Sequence, residues 1–381
     1  WYPGGGIYRN VWLVKTEKTH ISHWGTTVIA KNVLAESAEI ELEISIDNDQ
    51  NKQVTLSTES IVYYVDEKGN EQKVSQFDPE QISIEENNSR KTLSRLTIEN
   101  PKLWGPPPSQ TPNMYVVKTK LISNGKVLDE YHTPFGIRNI EYDPDRGVLV
   151  NGEHIFIKGV NQHHDLGALG SAWNEQAAER QLEMLRELGC NAIRIAHNPP
   201  APELLDMTDR MGFLVVDELY DCWERKKTPL DFHLIFPEWH EQDLRALIRR
   251  DKNHPSVIMW STGNEVGEQY TGEAGAEVAA RLRVIANDED PTRPTTASFN
   301  YAKPDMPITS EVEAINLNYQ GEGIRNAPAY AHLKGINTPP NYPEFHEKYP
   351  EKVIISSENA AALSSRGTYL FPVVNGISAP I

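Results

Sequence analysis

Only two cysteines, Cys190 and Cys222, occur in the chain. They are too few for a disulfide framework and lack metal-ligand spacing, so neither a cystine-stapled scaffold nor a metal module is indicated. Basic residues are also scarce, 37 Lys and Arg against 54 Asp and Glu, giving a net charge of −17 with no basic cluster along the chain. Phosphate binding needs concentrated positive charge, so the balance argues against nucleic acid as a partner. No apolar run approaches the roughly 20 residues of a membrane-spanning helix, and no membrane partner is expected. The first residue is Trp1, not Met, and no signal peptide is visible. The compartment is therefore not legible. A periplasmic or secreted location is favoured over a cytoplasmic one, and a homo-oligomer is compatible with the composition.

What is present divides into two rhythms. The 381 residues correspond to two or three domains at roughly 150 residues each. The first part carries short alternating runs such as "AEIELEISI" (Ala38 to Ile46), "SIVYYV" (Ser60 to Val65), "SRLTIE" (Ser94 to Glu99) and "MYVVKTKLI" (Met114 to Ile122). Period-two alternation predicts antiparallel strands with one buried face, hence a β-sandwich. The prolines of "NPKLWGPPPSQTP" cannot sit inside a sheet and predict a loop rimmed by Trp104 and Tyr115.

After Asp145 the pattern becomes strand, loop, helix, strand. "HIFIKGVN" (His154 to Asn161) precedes the helical "EQAAERQLEMLRELG" (Glu175 to Gly189), whose last glycine suits a C-cap. "NAIRIAH", "FLVVDEL", "VIMWSTGNE", "TTASFN", "AINLNYQ" and "VIISSEN" follow, making seven strands. Apolar strands alternating with amphipathic helices predict a parallel sheet covered by helices, and this number of strands favours a (β/α)₈ TIM barrel whose eighth strand is missing.

Almost every one of these strands ends on polar residues: Asn161 to Asp165, His197, Asp217 and Glu218, Asn264 and Glu265, Asn318 and Tyr319, Glu358. A single carboxylate in such a place is more often a salt bridge or helix cap. A whole rim of them is different, because burying charges without purpose costs several kcal/mol each, and the C-terminal rim is where barrel enzymes hold their active sites. Glu265 on the fourth strand and Glu358 on the seventh lie across the barrel. Two carboxylates flanking one sugar are the equipment of glycoside hydrolysis, and a separation of roughly 5 to 5.5 Å would mean retention of configuration.

The segments "WYPGGGIYRNVWL", "PKLWGPPPSQTPNMY", "FGIRNIEYDPDRGVLVNGEHIFIKGVNQHHD", "CNAIRIAHNPPAPELLDMTDRMGFLVVDE" and "NHPSVIMWSTGNE" resemble glycoside hydrolase family two, in particular β-galactosidases of the Bacteroides type. The resemblance implies that Glu265 is the acid/base, that Asn264 binds the sugar 2-hydroxyl and that Glu358 is the nucleophile; with those roles, the Glu358 charge is expected to raise the pKa of Glu265, as an acid requires. It implies a domain order in which residues 1–14 end a jelly-roll sugar-binding domain, 15–138 form an immunoglobulin-like sandwich and 139–381 a catalytic barrel. The chain thus resembles a fragment of a longer protein. The expected substrate is a β-galactoside, chosen through "HHDLG", with β-glucuronidase the alternative enzyme and a carbohydrate-binding protein on the same scaffold the non-enzyme alternative.

The other rim residues have two readings each. "NQHHDLG" offers metal ligands, but adjacent residues on an extended loop point different ways and a third ligand is not evident; the resemblance instead makes Asp165, with His163 or His164, a binder of sugar hydroxyls. His197 is a structural imidazole or a substrate contact. Tyr319 is a packed aromatic or a phenol that hydrogen-bonds Glu358. Asp217 and Glu218 are expected to support the rim. Metal-dependent β-galactosidases carry Glu and His where this chain has Cys222 and Glu224, so no metal is expected, and retaining hydrolysis needs no cofactor.

Overall fold

Alternation in the first hundred residues is realised as a two-sheet sandwich. The computed structural model describes residues 6–320 and 340–359. Strands β1 (Thr19–Lys31), β2 (Ser37–Asn48), β3 (Val54–Val65), β4 (Glu71–Gln76), β5 (Glu80–Ile84), β6 (Asn88–Glu99), β7 (Met114–Ser123) and β8 (Lys126–Phe135) form one sheet of order β1-β2-β6 and a second of order β4-β3-β7-β8, with β5 pairing β3. In β2 the odd-numbered Glu39, Glu41 and Glu43 face outward, while Ile40, Leu42, Ile44 and Ile46 are fully buried. Each of those four contributes roughly 1.5–3 kcal/mol as an upper bound. The β7–β8 hairpin turns on Asn124 and Gly125, both at positive φ, as a two-residue loop of this twist demands.

A small meander of β9 (Ile140–Asp143), β10 (Gly147–Val150) and β11 (Glu153–His154) joins the sandwich to the barrel. Seven parallel strands follow in sequential order: β12 (Gly159–Gln162), β13 (Ala192–Ile195), β14 (Leu214–Glu218), β15 (Val257–Asn264), β16 (Thr295–Phe299), β17 (Ile315–Asn318) and β18 (Ile354–Glu358). Helices α1 (Glu175–Glu187), α2 (Pro202–Met211), α3 (Phe236–Asp251), α4 (Glu273–Glu289) and α5 (Tyr342–Lys348) cover them. The sheet is a nearly closed barrel with an open seam: among the described residues no ladder joins β12 to β18, although the Asn161 side chain spans the seam to the Ser357 carbonyl at 2.9 Å. Residues 367–374, the alternative source of a closing strand, lie outside the described residues.

The first barrel strand differs from its expected span. His154 belongs to the meander and the ladder starts only at Gly159, opposite Ala192. Ile155 instead joins Val148 and Val150 in an apolar cluster with Ile258, Met259, Ala314 and Val353, which plugs the N-terminal end of the barrel. The proline loop also differs from a simple rim. Trp104 is fully buried in that same cluster and its indole donates to the Asp209 carbonyl at 2.8 Å. Reciprocal bonds of 2.9 Å between Asn253 and the backbone of Thr26 and Val28 complete the docking of sandwich on barrel. Helix α1 runs as its pattern predicts, capped by Asn174 and ended by Gly189 at φ +86°.

Candidate active site

Side chains alternate across a strand, so when Ile193 and Ile195 of β13 pack under the helices, Arg194 must enter the barrel. It is the only charged side chain in that four-residue strand and is 5% exposed. Its guanidinium donates to Glu358 at 2.6 Å, Glu218 at 2.7 Å, the Asn264 side-chain oxygen at 2.9 Å and Asn161 at 3.2 Å. A fork of five donors suits such a role. Five strands, β13 and the four that carry these partners, are thereby tied together at the C-terminal end of the barrel.

Glu218 is completely buried and serves as the counterweight. It also accepts from Ser261 at 2.5 Å and pairs with His197 Nδ1 at 2.6 Å. Burial acts to raise its pKa, but Arg194 and His197 outweigh burial and hold it at about 2. Burial likewise opposes the charge on Arg194, and Glu218 and Glu358 overcome it. The other ring nitrogen of His197, Nε2, lies 3.8 Å from Glu358. Asp217, by contrast, faces the helix layer, where burial and the neighbouring Asp251 push its carboxyl well above the usual range.

Glu265 stands one residue beyond β15 with φ +45°, and Tyr319 one residue beyond β17 with φ +53°. Left-handed backbone at a non-glycine residue costs of order 1–3 kcal/mol and concentrates at functional sites. The Glu265 carboxylate accepts from Asn318 at 3.0 Å, and Asn318 in turn accepts from Ser357 at 2.6 Å. Its pKa is raised, chiefly by burial; the Asn318 bond acts against the shift and the Glu358 charge adds to it. The expected direction is present, but desolvation leads and the neighbouring charge is secondary. The Tyr319 phenol is raised by burial and then by its hydrogen bond to Glu358.

Glu265, Glu358, Asn264, His197 and Tyr319 thus converge. Asn264 donates to Asp221 at 2.9 Å, and Asp221 accepts from Lys227 at 2.7 Å. His163 meets His197 edge-on at 5.1 Å, and burial followed by that neighbour lowers its pKa to about 4. His164 stacks on Tyr8 at 5.6 Å in a cleft behind the rim shared with Arg9 and Trp173. Asp165 accepts from the Gly167 amide at 2.9 Å and shapes its own loop. Sequence reasoning places Asn318 on the rim without a role and misses Arg194, for which the available signal is one charge inside the apolar "AIRI".

One group of three potential metal ligands occurs among the described residues, Asp206, Asp209 and His254. It lies at α2 and the turn before β15, away from the rim, and His254 Nδ1 is 2.6 Å from Asp209. Burial disfavours the imidazolium, yet Asp209 raises its pKa to about 9, which favours an imidazolium–carboxylate pair here. At the rim, Cys222 is buried and its thiol hydrogen-bonds Asp231, while Glu224 pairs with Arg281 at 3.0 Å.

A parallel barrel that gathers two carboxylates at the C-terminal ends of its strands has the layout that barrel glycoside hydrolases share. The family model for glycosyl hydrolases family 2, TIM barrel domain, matches residues 144–371, and that for glycosyl hydrolases family 2 matches residues 19–138; the chain belongs to this family. It is 37% identical to the β-galactosidase BoGH2A of Bacteroides ovatus over 98% of this chain and 44% of that protein. A β-glucuronidase of Bacteroides fragilis is 31% identical over 94% of this chain and 50% of the relative. Among solved structures, a glycosyl hydrolase family 2 member from Bacteroides cellulosilyticus superposes with a TM-score of 0.82 at 30% identity, covering 95% of this chain and 43% of that one. The chain therefore spans half or less of the length of these relatives.

Proposed function

We propose that this chain carries the catalytic centre of a retaining exo-β-glycosidase acting on terminal β-galactosyl residues. The observation that carries the reading is the unequal treatment of two neighbouring carboxyls. Glu358 is clamped by Arg194 at 2.6 Å, a cation set on the attacking carboxylate, whereas Glu265 accepts from the neutral Asn318 amide at 3.0 Å and burial raises its pKa, the direction an acid needs. In the first step Glu358 attacks the anomeric carbon while Glu265 gives its proton to the departing oxygen. Formation of the glycosyl ester removes the Glu358 charge, so Glu265 becomes a stronger acid and, once deprotonated, serves as base towards water. Arg194 and Tyr319 then stabilise Glu358 as it leaves. Asn264, locked by Arg194 and Asp221, is assigned to the sugar 2-hydroxyl, and His163, His164, Asp165 and His197 to its other hydroxyls. Residues 15–138 serve as the docking sandwich, 1–14 as the end of a preceding sugar-binding domain and 139–381 as the catalytic barrel.

The galactoside assignment draws on the similarity to the Bacteroides ovatus β-galactosidase and on charge. Among the described residues, the Arg and Lys side chains acting on the carboxylate pair, Arg194 and Lys227, are engaged by Glu218, Glu358 and Asp221, which suits a neutral sugar. The similarity to β-glucuronidases favours the second reading, a β-glucuronidase. A panel of p-nitrophenyl β-galactoside, β-glucuronide, β-mannoside and β-glucoside, assayed with the whole protein, decides among them. Preference for the galactoside supports the proposal, preference for the glucuronide establishes the alternative, and turnover of none leaves a carbohydrate-binding protein.

A further inference from the structure

Two tyrosines stand exposed on the catalytic rim and have no part in the network above. Tyr270 is 56% and Tyr301 45% exposed, and their rings lie 4.4 Å apart between centroids at 37°. Both follow barrel strands directly. Tyr270 is five residues beyond Glu265, at the end of a short turn spanning Gly267–Tyr270. Tyr301 is three residues beyond Ser298, whose carbonyl accepts the Glu265 amide at 2.8 Å. At roughly 3.5 Å per residue at most, neither tyrosine backbone is more than about 18 Å from that of Glu265.

The two loops are fastened to each other from beneath. Gln269 is 3% exposed and its amide is shared between them: the oxygen accepts from the Tyr301 and Ala302 amides at 3.1 and 2.9 Å, and the nitrogen donates to the Val266 carbonyl and the Asn300 side chain, both at 3.0 Å. A buried amide with both ends satisfied holds the aromatic pair in register without covering it. Arg225 lies 6.0 Å from the Tyr270 ring centroid and steadies its other side. Beside the pair, Gly272, Met306 and Ile308 help to line an open groove with about 240 Å³ of water-accessible space. That is less than the roughly 300–1,000 Å³ of a site enclosing a drug-sized ligand, and suits one ring of a chain that continues into solvent.

Exposed aromatic pairs cost solvation and are retained where a flat, partly apolar ligand covers them. The acid of a glycosidase lies on the leaving-group side of the scissile bond, because the oxygen it protonates belongs to the leaving group. We infer that Tyr270 and Tyr301 form a leaving-group subsite that stacks a neutral sugar ring of the departing glycan, so that the natural substrate is an oligosaccharide or polysaccharide end and not a simple aryl or alkyl glycoside. This inference rests on the assignment of Glu265 as the acid. Binding energy gained on the remote ring is expressed at the reacting bond.

The test uses the whole protein and whichever β-glycoside it hydrolyses, offered as the methyl glycoside and as the terminal unit of a trisaccharide. Tyr270→Ala and Tyr301→Ala should each lower kcat/KM for the trisaccharide roughly 3- to 10-fold, the loss of one aromatic contact. Both should leave the methyl glycoside unchanged, which also shows that the variants fold. Tyr270→Phe and Tyr301→Phe should retain most of the trisaccharide rate. Equal losses on the two substrates, or none on either, would overturn the subsite. Absence of turnover in the wild type would defeat the catalytic assignment instead. The platform is then judged by saturation-transfer NMR with the free disaccharide that forms the leaving part: a signal abolished in the Tyr270→Ala/Tyr301→Ala double variant upholds it, and a signal that persists refutes it.

Discussion

The two ends of the barrel both bury charge, and they do so in opposite ways. At the N-terminal end two charge pairs close on themselves: Arg293 holds Asp290 and His254 holds Asp209, both at 2.6 Å, around an apolar plug of Trp104, Ile258 and Met259. At the C-terminal end one guanidinium is divided between Glu218 and Glu358, while Glu265 has Asn318 as its hydrogen-bond donor and, among the described residues, no ion-pair partner. Paired charges can only stabilise or destabilise the fold. A surplus of carboxylate over cation can also move protons and form bonds, and that surplus distinguishes the catalytic end from the structural one.

The largest effect expected from breaking the comparison is at Glu358. Glu358→Ala should lose about 10⁴-fold or more in kcat on every substrate, since no leaving group compensates for a missing nucleophile; added azide should yield the α-glycosyl azide. Glu265→Ala should cost about 10²- to 10⁴-fold with poor leaving groups but far less in the first step with a nitrophenolate, which departs without a proton. Azide should rescue that variant and give the β-azide. The opposite product from each variant would exchange the two assignments.

A smaller effect separates the two ends directly. Arg194→Met and Arg293→Met each leave buried carboxylate without its cation, and each should destabilise the protein by about 3–5 kcal/mol in denaturant titrations. Only Arg194→Met should shift the pH profile of kcat/KM, because only Arg194 touches the reacting carboxylate. Equal shifts in both variants would mean that the ends are not functionally distinct.

The smallest effect is read in stability against pH. Glu218 is held at about 2 against an ordinary value of 4.5. A depressed folded-state pKa contributes stability that is present above the unfolded value and is lost as pH falls from about 4.5 towards 2. Glu218→Gln should flatten the melting temperature over this window. An unchanged acid slope would show that Glu218 does not carry the linkage.

How much of this was legible depends on what each residue answers to. The seven barrel strands could be read because apolar runs such as "VIMWS" have to be buried somewhere, and Glu265 and Glu358 because they end such runs. Arg194 could not be assigned a partner, since which face of "AIRI" lines the barrel depends on register with β12 and β14. The span of the first strand failed for a related reason: Ile155 alternates as a barrel residue would, but its partners Val148 and Ile258 come from other segments. Trp104 was placed beside the right loop, yet its burial is decided by helix α2, distant in sequence. The raised pKa of Glu265 was predictable in direction from its neighbour, whereas its main cause, desolvation, required the packed rim.

The central claim is that the surplus carboxylate at the C-terminal end includes a nucleophile. The most direct measurement is mass spectrometry of the whole protein after incubation with a 2-deoxy-2-fluoro-β-galactosyl fluoride, in which the fluorines slow hydrolysis of the glycosyl ester more than its formation. The account predicts a stable adduct of one fluorogalactosyl unit, located by peptide fragmentation on Glu358 and absent from Glu358→Ala. An adduct on Glu265, or inversion of the anomeric configuration during turnover of an ordinary substrate, would contradict it.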